Sequence, residues 1–209
     1  MEAVEVKDNA RAWLVRRAQD LVVPIGVHVD ITYWCDLDCV HCYLADRKRA
    51  ELTLAEYEAL FDDLRALGTL FLLVSGGEIF HRPDGLDILR AARARRFEVR
   101  IITHGGHIDD AVAAELARIG IAAVAMSIYA ADAATHDAIT KVDGSWERTV
   151  AAARHLRRHG IPVLFKCVLM TENVGAVPAL QALAVDVGCG LEVSVDIKGD
   201  NAGSDGLMK

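Results

Sequence analysis

A chain of 209 residues, 53% of them hydrophobic, can build one substantial core but is short for two average domains. Its net charge of -7 argues against the basic footprint that nucleic-acid binding needs, so no nucleic-acid partner is expected. No apolar run approaches the roughly 20 residues that span a bilayer, and Met1-Glu2-Ala3-Val4-Glu5 lacks the regions of a secretory signal. The expected setting is the reducing cytoplasm, away from membranes.

Residues 1–22 form a polar lead-in, helical around Ala10 to Gln19 and too short to be a domain. From Val23 the chain turns β-rich. Val27-His28-Val29-Asp30-Ile31 alternates and runs into Cys35-Asp36-Leu37-Asp38-Cys39-Val40-His41-Cys42-Tyr43, where three thiols are spaced C-x3-C-x2-C. The next cysteine is Cys167. A structural zinc site would use four protein ligands, and His41, wedged beside Cys42, is poorly placed to share its neighbour's metal. Disulfides suit neither the odd count nor a chain without a secretory signal. Three soft thiolates suit an iron–sulfur cluster with one iron left open to an outside ligand. Zinc or plain cysteine packing is the alternative.

After the loop, Thr53-Leu-Ala-Glu56 forms a capping box that opens a helix. A helix–turn–strand unit then recurs: Leu64 to Gly68 before Thr69–Val74, Leu116 to Gly120 before Ile121–Met126, and Leu156 to Gly160 before Ile161–Val168. Two looser copies cover Leu89–Ile102 and Leu183–Val195. Gly68, Gly120 and Gly160 sit where left-handed helix ends are expected. Nearly continuous apolar strands between amphipathic helices predict a parallel sheet buried on both faces. The total is six strands and five connecting helices, short of the about 250 residues of a full eight-fold barrel. The α/β fold expected is a six-stranded partial (βα)6 TIM-like barrel. A doubly wound sheet is the alternative, although no G-x-G-x-x-G follows the first strand.

Both architectures place ligands at the carboxyl ends of the strands, and these ends are polar or glycine-rich. They are the cysteine loop, Ser75-Gly76-Gly77-Glu78, Thr103-His104-Gly105-Gly106, Ser127-Ile128-Tyr129, Met170 to Asn173, and Asp196. Paired glycines let a ligand approach the backbone, and Glu78 can accept hydrogen bonds from an ammonium. Lys166, inside the strand Val163-Leu-Phe-Lys-Cys-Val-Leu, is costly unless paired, and a ligand carboxylate would pair it. Plainer readings stand beside these. Gly-Gly is a common tight turn, His104 an ordinary loop histidine, and Lys166 a snorkelling side chain. Cys167 and Cys189 read as buried small hydrophobes.

Ile31 to Tyr43, Ser75-Gly-Gly-Glu-Ile-Phe-His-Arg82-Pro-Asp84, Ser127-Ile-Tyr-Ala130, His136 to Thr140, Gly144 to Arg148 and Gly160 to Lys166 occur in an order and spacing that resemble a known family. It is the radical S-adenosylmethionine (SAM) superfamily, specifically the core of SPASM-type peptide maturases such as those of pyrroloquinoline quinone and mycofactocin. The resemblance runs from about Gly26 to Asp205. It implies a [4Fe–4S] cluster on Cys35, Cys39 and Cys42 in a loop ending at Tyr43. It further implies that Gly76, Gly77 and Glu78 hold the methionine amino end of SAM, that Ser127 and Lys166 meet its carboxylate or ribose, and that His41 lies near its adenine. The implied activity is hydrogen abstraction by a 5′-deoxyadenosyl radical. The implied partners are a precursor peptide and an electron donor such as ferredoxin or flavodoxin. A small-metabolite substrate and a truncated, non-catalytic barrel that binds cluster or SAM are the alternatives. Two departures stand out. The family's T-N-G reads Thr103-His104-Gly105, and the chain reaches Lys209 without the cysteine-bearing extension. The expected division is therefore a lead-in at 1–22, a core at 23–200, and at 201–209 the start of an absent C-terminal extension. Without it, SAM cleavage but no completed peptide chemistry is expected.

Overall fold

A computed structural model describes residues 10–44 and 46–197, so the expected start of an extension at 201–209 lies outside the described residues. The lead-in carries helix α1 (Ala10–Asp20). Six strands follow: β1 (Gly26–Asp30), β2 (Phe71–Ser75), β3 (Glu98–Thr103), β4 (Ala123–Ser127), β5 (Val163–Val168) and β6 (Gly190–Ser194). They form one sheet, parallel at every pairing, in the order β1-β2-β3-β4-β5-β6. This sequential order decides between the two architectures. A doubly wound sheet reverses its strand order at a switch point, and this sheet never reverses. The strands wind one way as a partial (βα)6 barrel, with β1 and β6 as its edges.

Where the repeat predicts five connecting helices, the structure has six. They are α2 (Leu54–Ala66), α3 (Gly85–Ala94), α4 (Asp110–Ile119), α5 (Ala133–Thr140), α6 (Ser145–Arg158) and α7 (Val177–Val187). The addition is α5, which precedes α6 between β4 and β5. At eight residues it is too short for apolar periodicity to register, and it is defined by its ends. The Asp132 side chain accepts from Thr135 N at 2.8 Å, and Lys141 closes the helix in the left-handed region. The Thr53–Glu56 capping box forms as expected, with both reciprocal bonds present. Gly68, Gly120 and Gly160 all take positive φ, at 92°, 83° and 75°.

The two sheet faces differ, which corrects the expectation that both are buried. Leu72 and Val74 of β2, Val99 and Ile101 of β3, Val124 and Met126 of β4, and Phe165 of β5 are buried in the core that includes Leu89, Leu116 and Leu156 of the helices. Burying a side chain the size of Phe165 stabilises the fold by roughly 1.5–3 kcal/mol. The alternate residues, such as Ile102, Lys166 and Val168, are only half-buried and face a cavity inside the barrel. Among the described residues no helix is long and apolar enough to cross a membrane.

Candidate functional site

The cavity, about 310 Å³, opens at the carboxyl ends of the strands. Its lining brings together nine of the ten residues singled out in the sequence: Cys35, Cys39, His41, Cys42, Tyr43, Gly76, Gly77, Ser127 and Lys166. Glu78 is the exception. It is fully buried, and its carboxylate faces β3 rather than the cavity.

The cysteine loop is held from three sides. Helix α5 ends against it, and the carbonyls of Thr140 and Ile139, which have no partner within the helix, accept from Asp38 N and Val40 N at 3.0 Å each. On the β2 side, Gly77 N donates to Thr32 O and Glu78 N to Trp34 O, both at 2.8 Å. These bonds explain the paired glycines. A Cβ on Gly76 would lie 2.2 Å from Thr32 O, and one on Gly77 would lie 1.9 Å from Trp34 O. The backbone requiring that room is the approach to the cysteine loop, in addition to any ligand. Arg47 grips the third side.

The three thiols share one wall of the cavity, whereas Cys167 is buried in the core. Burial, followed by the charges of Cys42 and Cys35, pushes the Cys39 thiol up to about 12. A bound cation would offset that penalty and favour the thiolate form. Soft sulfur donors, three in number and open towards a cavity, fit a [4Fe–4S] cluster with one iron free for a further ligand. Cys167 and Cys189 lie elsewhere and complete no fourth position.

Behind this wall, Glu78 accepts from Thr103 Oγ1 at 2.8 and 2.7 Å, from His104 N at 3.1 Å and from Phe80 N at 3.1 Å. His104, an ordinary loop residue on the plainer of its two readings, is buried here. Its Nε2 lies 2.9 Å from Asp36 Oδ1 and 3.1 Å from Glu78 Oε2. Donor atoms of Cys35, Asp36 and His104 fall within 4.8 Å of one another, as in a metal site. The backbone argues against a metal there. Gly106 N donates to His104 Nδ1 at 3.0 Å, so the ring proton sits on Nε2 and no lone pair is left for a metal. Burial opposes charging of this ring, while Glu78, Asp36 and Cys35 favour it strongly enough to raise its pKa. The Gly106 bond decides for the neutral Nε2–H form, because an imidazolium would set two N–H groups head to head. His107 adds a contact from Nε2 to Asp36 Oδ2 at 3.1 Å.

Lys166, also in the cavity lining, is already paired, with Nζ 2.8 Å from Glu192 Oε1. His41 meets Tyr129 edge-on at 4.7 Å between ring centroids, and its buried Nδ1 has no partner among the described residues. Tyr43 lies close enough to Asp30 that burial and that carboxylate push its hydroxyl up to about 12. Tyr129 stands at a strand end named from the sequence, whereas His28, Arg47 and Asp36 carry no assigned role there. Only His28 left a signal, since it alternates along β1 and lines the cavity. The others depend on contacts between distant segments.

The Radical SAM superfamily profile matches residues 29–183. A PqqA peptide cyclase from Gluconobacter oxydans (strain 621H) is 33% identical over 170 residues, covering 80% of this chain and 48% of that protein. An AdoMet-dependent heme synthase from Methanosarcina barkeri (strain Fusaro / DSM 804) is 30% identical over 162 residues, covering 76% of this chain and 46% of that protein. The chain thus spans about half the length of these relatives. Among solved structures, Streptococcus suis SuiB bound to its precursor peptide SuiA superposes with a TM-score of 0.74 at 17% identity. That match covers 100% of this chain and 52% of SuiB, and it establishes a shared fold.

Proposed function

The chain belongs to the radical SAM superfamily, and from that premise we propose that its cavity binds a [4Fe–4S] cluster and SAM and directs hydrogen abstraction from a ribosomally made peptide. The observation that carries this reading is the common wall shared by Cys35, Cys39 and Cys42 beside Gly76 and Gly77. When bound, the cluster supplies the electron that cleaves SAM to methionine and a 5′-deoxyadenosyl radical. The protein's part is to bind, orient and exclude water.

In this reading Cys35, Cys39 and Cys42 hold the cluster, in a loop that ends at Tyr43. Gly76 and Gly77 line the path to the methionine end of SAM, and Ser127 and Lys166 face its carboxylate or ribose. His41 has an unpartnered Nδ1 to offer a base edge. Glu78 reaches the ammonium by giving up its Thr103 hydroxyl, trading a neutral donor for a charged one. Residues 23–200 are the SAM-handling unit, and a ferredoxin- or flavodoxin-like donor in the cytoplasm supplies the electron. Relatives named for a peptide and a precursor-bound neighbour of the same fold support the peptide substrate.

A metabolite substrate is the second reading, favoured by the heme synthase among the relatives. Anaerobic reconstitution followed by dithionite and SAM tests the core proposal. Release of 5′-deoxyadenosine is expected, and its absence from an iron-loaded, SAM-binding protein would defeat the proposal. Adding a precursor peptide or a tetrapyrrole then separates the substrate readings, by which one binds and accelerates release.

A further inference from the structure

Arg47 belongs to no helix or strand, yet its guanidinium is directed into the loop that carries the three cysteines. Nη1 donates to Leu37 O at 2.7 Å and to Cys35 O at 3.1 Å. Nη2 donates to Asp38 Oδ1 at 3.0 Å, and Nε reaches Leu44 O at 3.4 Å. The acceptors lie on both sides of Cys39 and Cys42, so one planar fork closes the whole segment from 35 to 44. The Asp38 carboxylate is 82% exposed, and a surface pair of that kind contributes little. The bonds to main-chain carbonyls are the informative ones. The Leu37–Asp38 peptide is held at both ends, its carbonyl by Arg47 and its N–H by Thr140 O. Leu37 and Leu44 are buried at 3% each, which anchors the loop on either side of the clamp. In addition, Leu37 N donates to Cys35 Sγ at 3.4 Å, a contact that depends on the loop keeping this path.

We propose that Arg47 is a positioning residue that clamps the cysteine loop into its binding geometry and sets a permanent positive charge beside it; this rests on the cluster reading of Cys35, Cys39 and Cys42. Two consequences separate the functions of this one side chain. The fork geometry keeps the thiols in place before any iron arrives, and a lysine cannot reproduce it. The charge favours the more negative, reduced state of a cluster, and a lysine can reproduce that.

The test uses the full chain in wild-type, R47K, R47Q and R47A forms. In the iron-free proteins, alkylation at Cys35, Cys39 and Cys42 is followed by peptide mass spectrometry, with circular dichroism melts alongside. All three variants should label at these positions at least about threefold faster than wild type, as expected when a local opening is eased without global unfolding. After reconstitution, iron loss to a chelator should accelerate in all three variants. The cluster midpoint should become more negative in R47Q and R47A but stay near wild type in R47K; a tenfold drop in the reduced fraction at fixed potential corresponds to about 59 mV. Wild-type labelling and wild-type midpoints in R47Q would overturn the proposal. R47Q and R47K decide it even if R47A does not fold. Failure of wild type to take up iron would refute the cluster reading, while the labelling arm would still judge the clamp.

Discussion

Lys166 of β5 and Glu192 of β6 are register partners, with Nζ 2.8 Å from Oε1 at the mouth of the barrel. This answers how a lysine is tolerated inside an apolar strand: the neighbouring strand supplies its counter-charge. It also alters what a ligand gains there. A SAM carboxylate arriving at Lys166 replaces an existing partner instead of neutralising a bare cation. Lys166→Ala is therefore expected to weaken SAM binding by about tenfold, roughly 1.4 kcal/mol. Glu192→Gln should tighten it, because the competitor is gone. Calorimetric titration of the reconstituted protein reads both, and unchanged affinity in the pair would place the SAM carboxylate elsewhere. Both side chains are partly exposed, so neither change should alter stability by more than about 1 kcal/mol.

Cluster ligation is predicted to divide the five cysteines. Anaerobic reconstitution should load about four irons per chain. Alanine at Cys35, Cys39 or Cys42 should lose them, while Cys189→Ala should keep them. Stoichiometric zinc with no iron uptake would contradict the assignment.

Gly77→Ala is predicted to be among the most damaging single-methyl changes in the chain. The added Cβ would meet Trp34 O at 1.9 Å, and this carbonyl is fixed by the Glu78 N–H. Relieving the clash means moving the approach to the cysteine loop, at a cost of about 1–3 kcal/mol. Lower urea midpoints together with impaired iron loading are the expected readings. Gly175→Ala, where a Cβ meets nothing within 4 Å, is the control.

His136 sets a pH limit on stability. Burial depresses its pKa to about 4, and its Nδ1 accepts from Tyr129 N at 3.2 Å, so the native ring is neutral. The unfolded ring titrates near 6.5. Protons therefore bind the unfolded chain first. The stabilisation is complete above about pH 6.5, falls as the pH drops towards about 4, and is level below that. Its full size is on the order of 3 kcal/mol. Urea midpoints measured across this window should slope in wild type and less steeply in His136→Gln, where the burial-lowered His41 still contributes.

Much of the fold was legible because local rules and tertiary structure agree. Apolar runs separated by helices and ended by glycines such as Gly120 define a parallel α/β chain, and the predicted strands fall within two residues of those observed. The short α5 escaped because eight residues carry too little periodicity. The spacing of Cys35, Cys39 and Cys42 was enough to select soft-metal chemistry, since ligand type and number are written in the residues themselves. Pairing was not legible. The capture of Lys166 by Glu192, the retreat of Glu78 behind Thr103, the burial of His104 against Asp36 and the grip of Arg47 on Cys35 O all join atoms that no periodicity relates. Which groups end the strands could be read from the chain alone, because strand type, direction and C-terminal limits follow from local pattern, whereas the strand order that excludes a doubly wound sheet did not. Which of them face the cavity and which are already satisfied emerges in the folded chain alone, because hydrogen bonds saturate and each acceptor taken by the protein is withdrawn from the ligand.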